Sequence, residues 1–146
     1  MVVALSFGCI NAMAWTDPWP TPKDVKERTK GEQNEHITGW CTYDRPKTLT
    51  TEEKLIIAVA PAAAAAITDN VWPDPNCCEI GGEGDEIDIQ LLLGGKLGKY
   101  RLEHRKQCLK KALEILSNHL DSLDDIAWDI ARGVEKIYNP DFLNRP

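Results

Sequence analysis

Five cysteines (Cys9, Cys41, Cys77, Cys78 and Cys108), three histidines (His36, His104 and His119) and one acidic, glycine-rich segment are the parts of this chain whose residue types could do chemistry. Cys77-Cys78 offers two thiolates for a zinc half-site, but adjacent side chains diverge and no Cys-x-x-Cys or His-x-x-x-His completes a tetrahedral set. The histidines read as isolated surface or cap residues rather than ligands. No Gly-x-Ser-x-Gly elbow and no Walker-type phosphate loop is present. Gly81-Gly-Glu-Gly-Asp-Glu-Ile-Asp-Ile-Gln90 gathers Glu83, Asp85, Glu86 and Asp88, a set of hard oxygen donors, without the alternate spacing of a calcium loop. By spacing alone it is a polar loop feeding a helix, with Asp85 as its cap.

The elements that must position these residues are mostly helical. Met1 to Phe7 reads as a buried helix stopped by Gly8. A competing reading takes residues 1–14, which end in Ala-Met-Ala, as an export signal; no Lys or Arg precedes the apolar stretch, and Gly8, Cys9 and Asn11 interrupt it. Under that reading Cys41, Cys77, Cys78 and Cys108 form two disulfides of a small exported binding or inhibitor protein. Trp15 to Pro22 is extended or turn-forming because its three prolines fix φ and remove donors. His36 to Tyr43, β-branched and aromatic, is the best strand candidate.

Thr50 or Thr51 can cap a helix with Glu52 and Glu53 in its first turn. Its alanine-rich continuation, Leu55 to Ile67, should be the central buried helix, kinked or restarted at Pro61. A further helix over about Glu86 to Leu93 should stop at Gly94-Gly95. Leu109, Leu113, Leu116, Leu120, Leu123, Ala127, Ile130, Val134 and Ile137 alternate steps of four and three, which places them on one helical stripe. Asn118 and Asp121 can split that run into a hairpin whose second helix is capped by Asp121 or Ser122. The expected fold is mainly α: a compact helical domain with a small β element and a C-terminal helical hairpin.

Length and composition set the outer limits. A chain of 146 residues holds one domain, here expected over 1–137 with a tail at 138–146, and is long enough to bury a core without staples. A net charge of -6 argues against nucleic acid as a partner. No apolar run approaches the ~20 residues that span a bilayer, so no transmembrane segment is expected.

Taken in order, the segments resemble the peptidase domain of the FtsH-type (AAA-linked) zinc metalloproteases. Met1-Val-Val-Ala-Leu-Ser-Phe-Gly is similar to the continuation of that family's His-Glu-x-x-His helix, as though the chain began just after the second histidine. Thr51-Glu-Glu-Lys followed by Ala58-Val-Ala-Pro-Ala-Ala-Ala-Ala65 is similar to the family's Ser/Thr-x-Glu-Glu opening and its Ala-Gly-Pro-Ala-Ala-Glu helix. Ala60 replaces the expected glycine and Ala64 the expected glutamate. Gly84-Asp-Glu-Ile-Asp88-Ile matches the turn that presents the third zinc ligand, and Cys108 to Ala127 the closing hairpin.

The resemblance implies a zinc metalloendopeptidase scaffold, cytoplasmic, acting on polypeptides and working with an ATPase partner or as a homo-oligomer. It implies Asp88 as a metal ligand, placed beside the opening helix, and no catalytic residue, because both histidines and the general-base glutamate are absent. A truncated start or a degenerate homologue would each explain the gap. With Asp88 alone, zinc should bind no tighter than about millimolar and peptides should not be hydrolysed.

Overall fold

The computed structural model describes residues 1–16, 39–69, 89, 91–94 and 98–144. Its element order is α1 (Val2–Ser6), β1 (Ile10–Thr16), β2 (Gly39–Asp44), α2 (Thr51–Asp69), α3 (Gly98–Ser117), α4 (Leu120–Ala131) and a 3-10 turn (Pro140–Asn144). The fold is mainly helical with a small two-stranded antiparallel sheet, as the sequence implies. Contacts divide it into two compact units, residues 1–46 with 120–146, and residues 47–119.

In the first unit α1 buries Val2, Val3, Ala4 and Leu5, then stops at Gly8. The stop is a Schellman closure: the Cys9 amide donates to the Ala4 carbonyl at 3.1 Å and the Gly8 amide to the Leu5 carbonyl at 3.0 Å. Gly8 makes this possible by adopting φ +81, where side chains are strained. An added Cβ there would meet nothing within 4 Å. Gly8→Ala should therefore cost about 1 kcal/mol from backbone strain alone, read as a lower midpoint in urea unfolding with an unchanged slope.

Strand β2 falls where the sequence places a strand, whereas β1 was not expected. Met13 to Thr16 pair with Thr42 to Gly39 in register, and Ile10 with Asp44, across a bulge. The bulge has a cause. Ala12 gives both its amide and its carbonyl to Tyr138, at 2.9 and 2.8 Å, and so leaves the β2 ladder. Asn11 turns the corner at φ 52, a region asparagine tolerates. Its Nδ2 donates to Asp44 Oδ2 at 2.8 Å and its amide to Asn139 Oδ1 at 2.9 Å.

Helix α4 also ends in a Schellman closure, on Gly133 at φ 70, with the Val134 amide donating to the Asp129 carbonyl at 2.9 Å and the Gly133 amide to the Ile130 carbonyl at 3.0 Å. Residues 138–144, expected as a tail, carry Tyr138 and Phe142 into the core, their rings edge-on at 4.9 Å.

The second unit is built on α2 against α3. Leu55, Ile56, Val59, Ala60 and Ala63 form the buried stripe of α2, and Cys108, Leu109, Ala112 and Leu116 that of α3. The alanines let the helices approach, and each buried leucine contributes about 2 kcal/mol. Helix α2 runs through Pro61 as one element, with Pro61 on its exposed side. Ile89 and 91–93 are helical and Gly94 lies in a turn, consistent with the expected stop there.

The nine-residue C-terminal stripe does not hold as one face. Leu109 and Leu116 are buried in α3, whereas Leu120, Val134 and Ile137 are exposed, and α4 buries Ile126, which is not on that stripe. Helix α4 begins at Leu120, which places Asp121 in its first turn rather than at the cap.

Candidate metal centre

The site starts from how α2 begins. Thr50 and Glu53 form a capping box: the Glu53 amide donates to Thr50 Oγ1 at 3.1 Å, and the Thr50 amide donates to Glu53 Oε2 at 2.9 Å. The box fixes the first turn and engages the Glu53 carboxylate, leaving the Glu52 carboxylate to reach α3. There His104 and Cys108 stand four residues apart, a spacing that stacks two side chains on one helical face.

Glu52 Oε2 is hydrogen-bonded to His104 Nε2. The Cys108 thiol donates to Glu52 Oε1 at 3.6 Å. One carboxylate oxygen, one imidazole nitrogen and one sulfur thus lie within 4.8 Å of one another, a group that could hold a metal ion. Zinc bonds of about 2.0–2.3 Å in tetrahedral array put ligand atoms about 3.6 Å apart; to reach it the hydrogen-bonded Glu52 and His104 atoms would part, while the most separated pair would close by about 1 Å at most. The group is graded in depth. Cys108 is fully buried at 0% exposed, while the side chains of His104 and Glu52 are 19% and 49% exposed.

The same residue types could suggest a cysteine nucleophile with a histidine base. That chemistry needs the imidazole between thiol and carboxylate and a thiol the substrate can reach. Here the carboxylate contacts both other groups and the thiol is at the floor. The arrangement suits ligation.

The structure therefore corrects the reading of His104 as isolated. The signal was present as His104-x-x-x-Cys108, but the third ligand comes from 52 residues upstream and only the packing of α2 on α3 brings it in. Asp88, the ligand implied by the family resemblance, lies outside the described residues, as do His36, Cys77 and Cys78. Cys9, Cys41 and Cys108 are thiols, with Cys41 exposed and the other two buried.

A cleft of about 360 Å³ in the first unit is lined by Asp125, Trp128, Asp129, Arg132, Lys136 and Phe142. Its charges serve the fold. Asp129 accepts from the Tyr138 hydroxyl at 2.6 Å, Arg132 Nη2 at 3.2 Å and Lys136 Nζ at 3.3 Å. The Tyr138 hydrogen bond, reinforced by Lys136 and Arg132, holds the Asp129 carboxyl below its ordinary range against the opposing effect of burial. In the same unit, burial pushes the Tyr43 hydroxyl above its ordinary value despite the neighbouring Arg45.

No helix among the described residues is long and apolar enough to cross a membrane. Comparison with protein-family models, curated proteins and solved structures returns no match for this chain.

Proposed function

We propose that this chain is a zinc-binding domain on a metallopeptidase-like helical scaffold, holding the ion through Glu52, His104 and Cys108 and lacking peptidase activity of its own. The observation that carries the reading is the convergence of three different donor atoms within 4.8 Å. A mixed sulfur, nitrogen and oxygen set suits zinc, which is borderline in softness and indifferent to geometry, better than calcium or magnesium, which take oxygen.

The kinship with FtsH-type peptidases rests on the order of the sequence segments. It is supported by the capped helix that begins at Thr51, where that family carries its Ser/Thr-x-Glu-Glu opening. Residues 1–146 contain no His-Glu-x-x-His, so these residues do not themselves supply that family's general base.

Isothermal titration of the chelator-treated chain with zinc tests this. One ion per chain at submicromolar Kd is the expected result, and His104→Ala should weaken it by more than about 100-fold, beyond the usual cost of losing an outer-shell partner. Binding no tighter than millimolar, or unchanged by His104→Ala, would overturn it.

A further inference from the structure

We infer that the metal held by Glu52, His104 and Cys108 keeps an exchangeable fourth ligand on its solvent side, and that this position takes neutral nitrogen donors in preference to small anions. The inference rests on the zinc reading and goes beyond it, from whether an ion binds to what the bound ion can bind.

Depth fixes which side is open. The thiol lies at the floor and the carboxylate at the rim, with the imidazole between them in exposure. An ion held by all three would have Cys108 on its buried side and Glu52, the most exposed of the three, on its solvent side. The two carboxylates adjacent to these ligands in sequence are engaged elsewhere: Glu53 accepts from the Thr50 amide at 2.9 Å, and Glu103 pairs with Lys106 at 3.7 Å. Among the described residues the metal-competent group contains three members, the number that catalytic and exchangeable zinc sites use, whereas closed structural sites use four.

Charge fixes the ligand class. On binding, the cysteine ligates as thiolate and the glutamate as carboxylate, and together they neutralise the dication. A site with three neutral imidazoles keeps its full positive charge and attracts anions; this one has none left over. A neutral donor then joins at no electrostatic cost, whereas an anion makes the centre negative in a partly desolvated place.

The cobalt-substituted full-length chain provides the readout. A thiolate-to-cobalt charge-transfer band, lost in Cys108→Ser, reports that the ion sits in this site. Titration with imidazole and, separately, with azide should then shift the visible ligand-field bands, imidazole acting at the lower concentration. Glu52→Gln removes one negative charge at a half-exposed position and should move the order toward azide. If the charge-transfer band forms but neither ligand shifts the spectrum, the site is closed and the inference fails while the metal reading stands. Azide acting before imidazole in the unaltered chain overturns the charge argument. Absence of the charge-transfer band with cobalt in excess removes the metal reading, and this inference with it.

Discussion

Zinc at a hundredfold excess over its Kd is expected to stabilise the chain by about 2.7 kcal/mol, and Cys108→Ser to abolish that increment. The first figure follows from mass action on an ion that binds the folded state alone. The second follows from the position of the thiol. Cys108 is completely buried on the α3 face that packs on α2, so a serine there keeps nearly the same volume but supplies a hydroxyl that zinc does not favour. Burying that hydroxyl costs about 1 kcal/mol without metal, and this is why the increment, not the absolute stability, is the quantity to compare. Thermal unfolding of both proteins, with zinc and with a chelator, gives it directly. An equal zinc increment in the serine variant would mean that the ion is held elsewhere.

Asp129→Asn is expected to cost about 2 kcal/mol at neutral pH, in the range for hydrogen bonds to a charged group. Asparagine can still accept from the Tyr138 hydroxyl but attracts neither Lys136 nor Arg132 as an ion. Tyr138 is the residue through which Ala12 is bridged, so loosening it weakens the edge of β1 as well. The pH dependence has a definite sign. Because the carboxyl is held below its ordinary range in the fold, its contribution is complete above the unfolded-state value near ~3.9 and disappears as pH falls through the lower folded value. Urea unfolding should therefore show a gap between the two proteins at neutral pH that narrows below about pH 4. A gap independent of pH would mean that the asparagine acts by shape and not by charge.

Where a feature depends on neighbours in sequence, the chain announced it. Gly8 as a helix stop, a threonine cap at position 50 or 51 (Thr50 in the structure) and a strand reaching Tyr43 each follow from a few adjacent residues. What was hidden depends on distant partners. The sequence assigns no element to Ile10 to Ala14 and only Trp15 onward reads as extended or turn, because nothing in Ile10 to Thr16 foretells that Tyr138 will pair with Ala12.

The C-terminal stripe failed for a related reason. Its period runs straight through the turn at Asn118-His119, and beyond that turn the residue α4 buries is Ile126, which the period leaves out. At the metal centre half of the pattern was legible, in the spacing of His104 and Cys108. Glu52 was recognised for its place at a helix start, and its approach to those two residues belongs to tertiary packing.

The pairing of Ala12 with Tyr138 also bears on how the polypeptide matures during synthesis. Residues 47–119 are contiguous and can fold while the ribosome is still working. Strand β1 has no such freedom: its outer edge waits for a partner translated more than a hundred residues later. A nascent chain stalled before residue 138 would therefore carry a finished helix pair and an unzipped beginning, a species that chaperones and proteases would meet first.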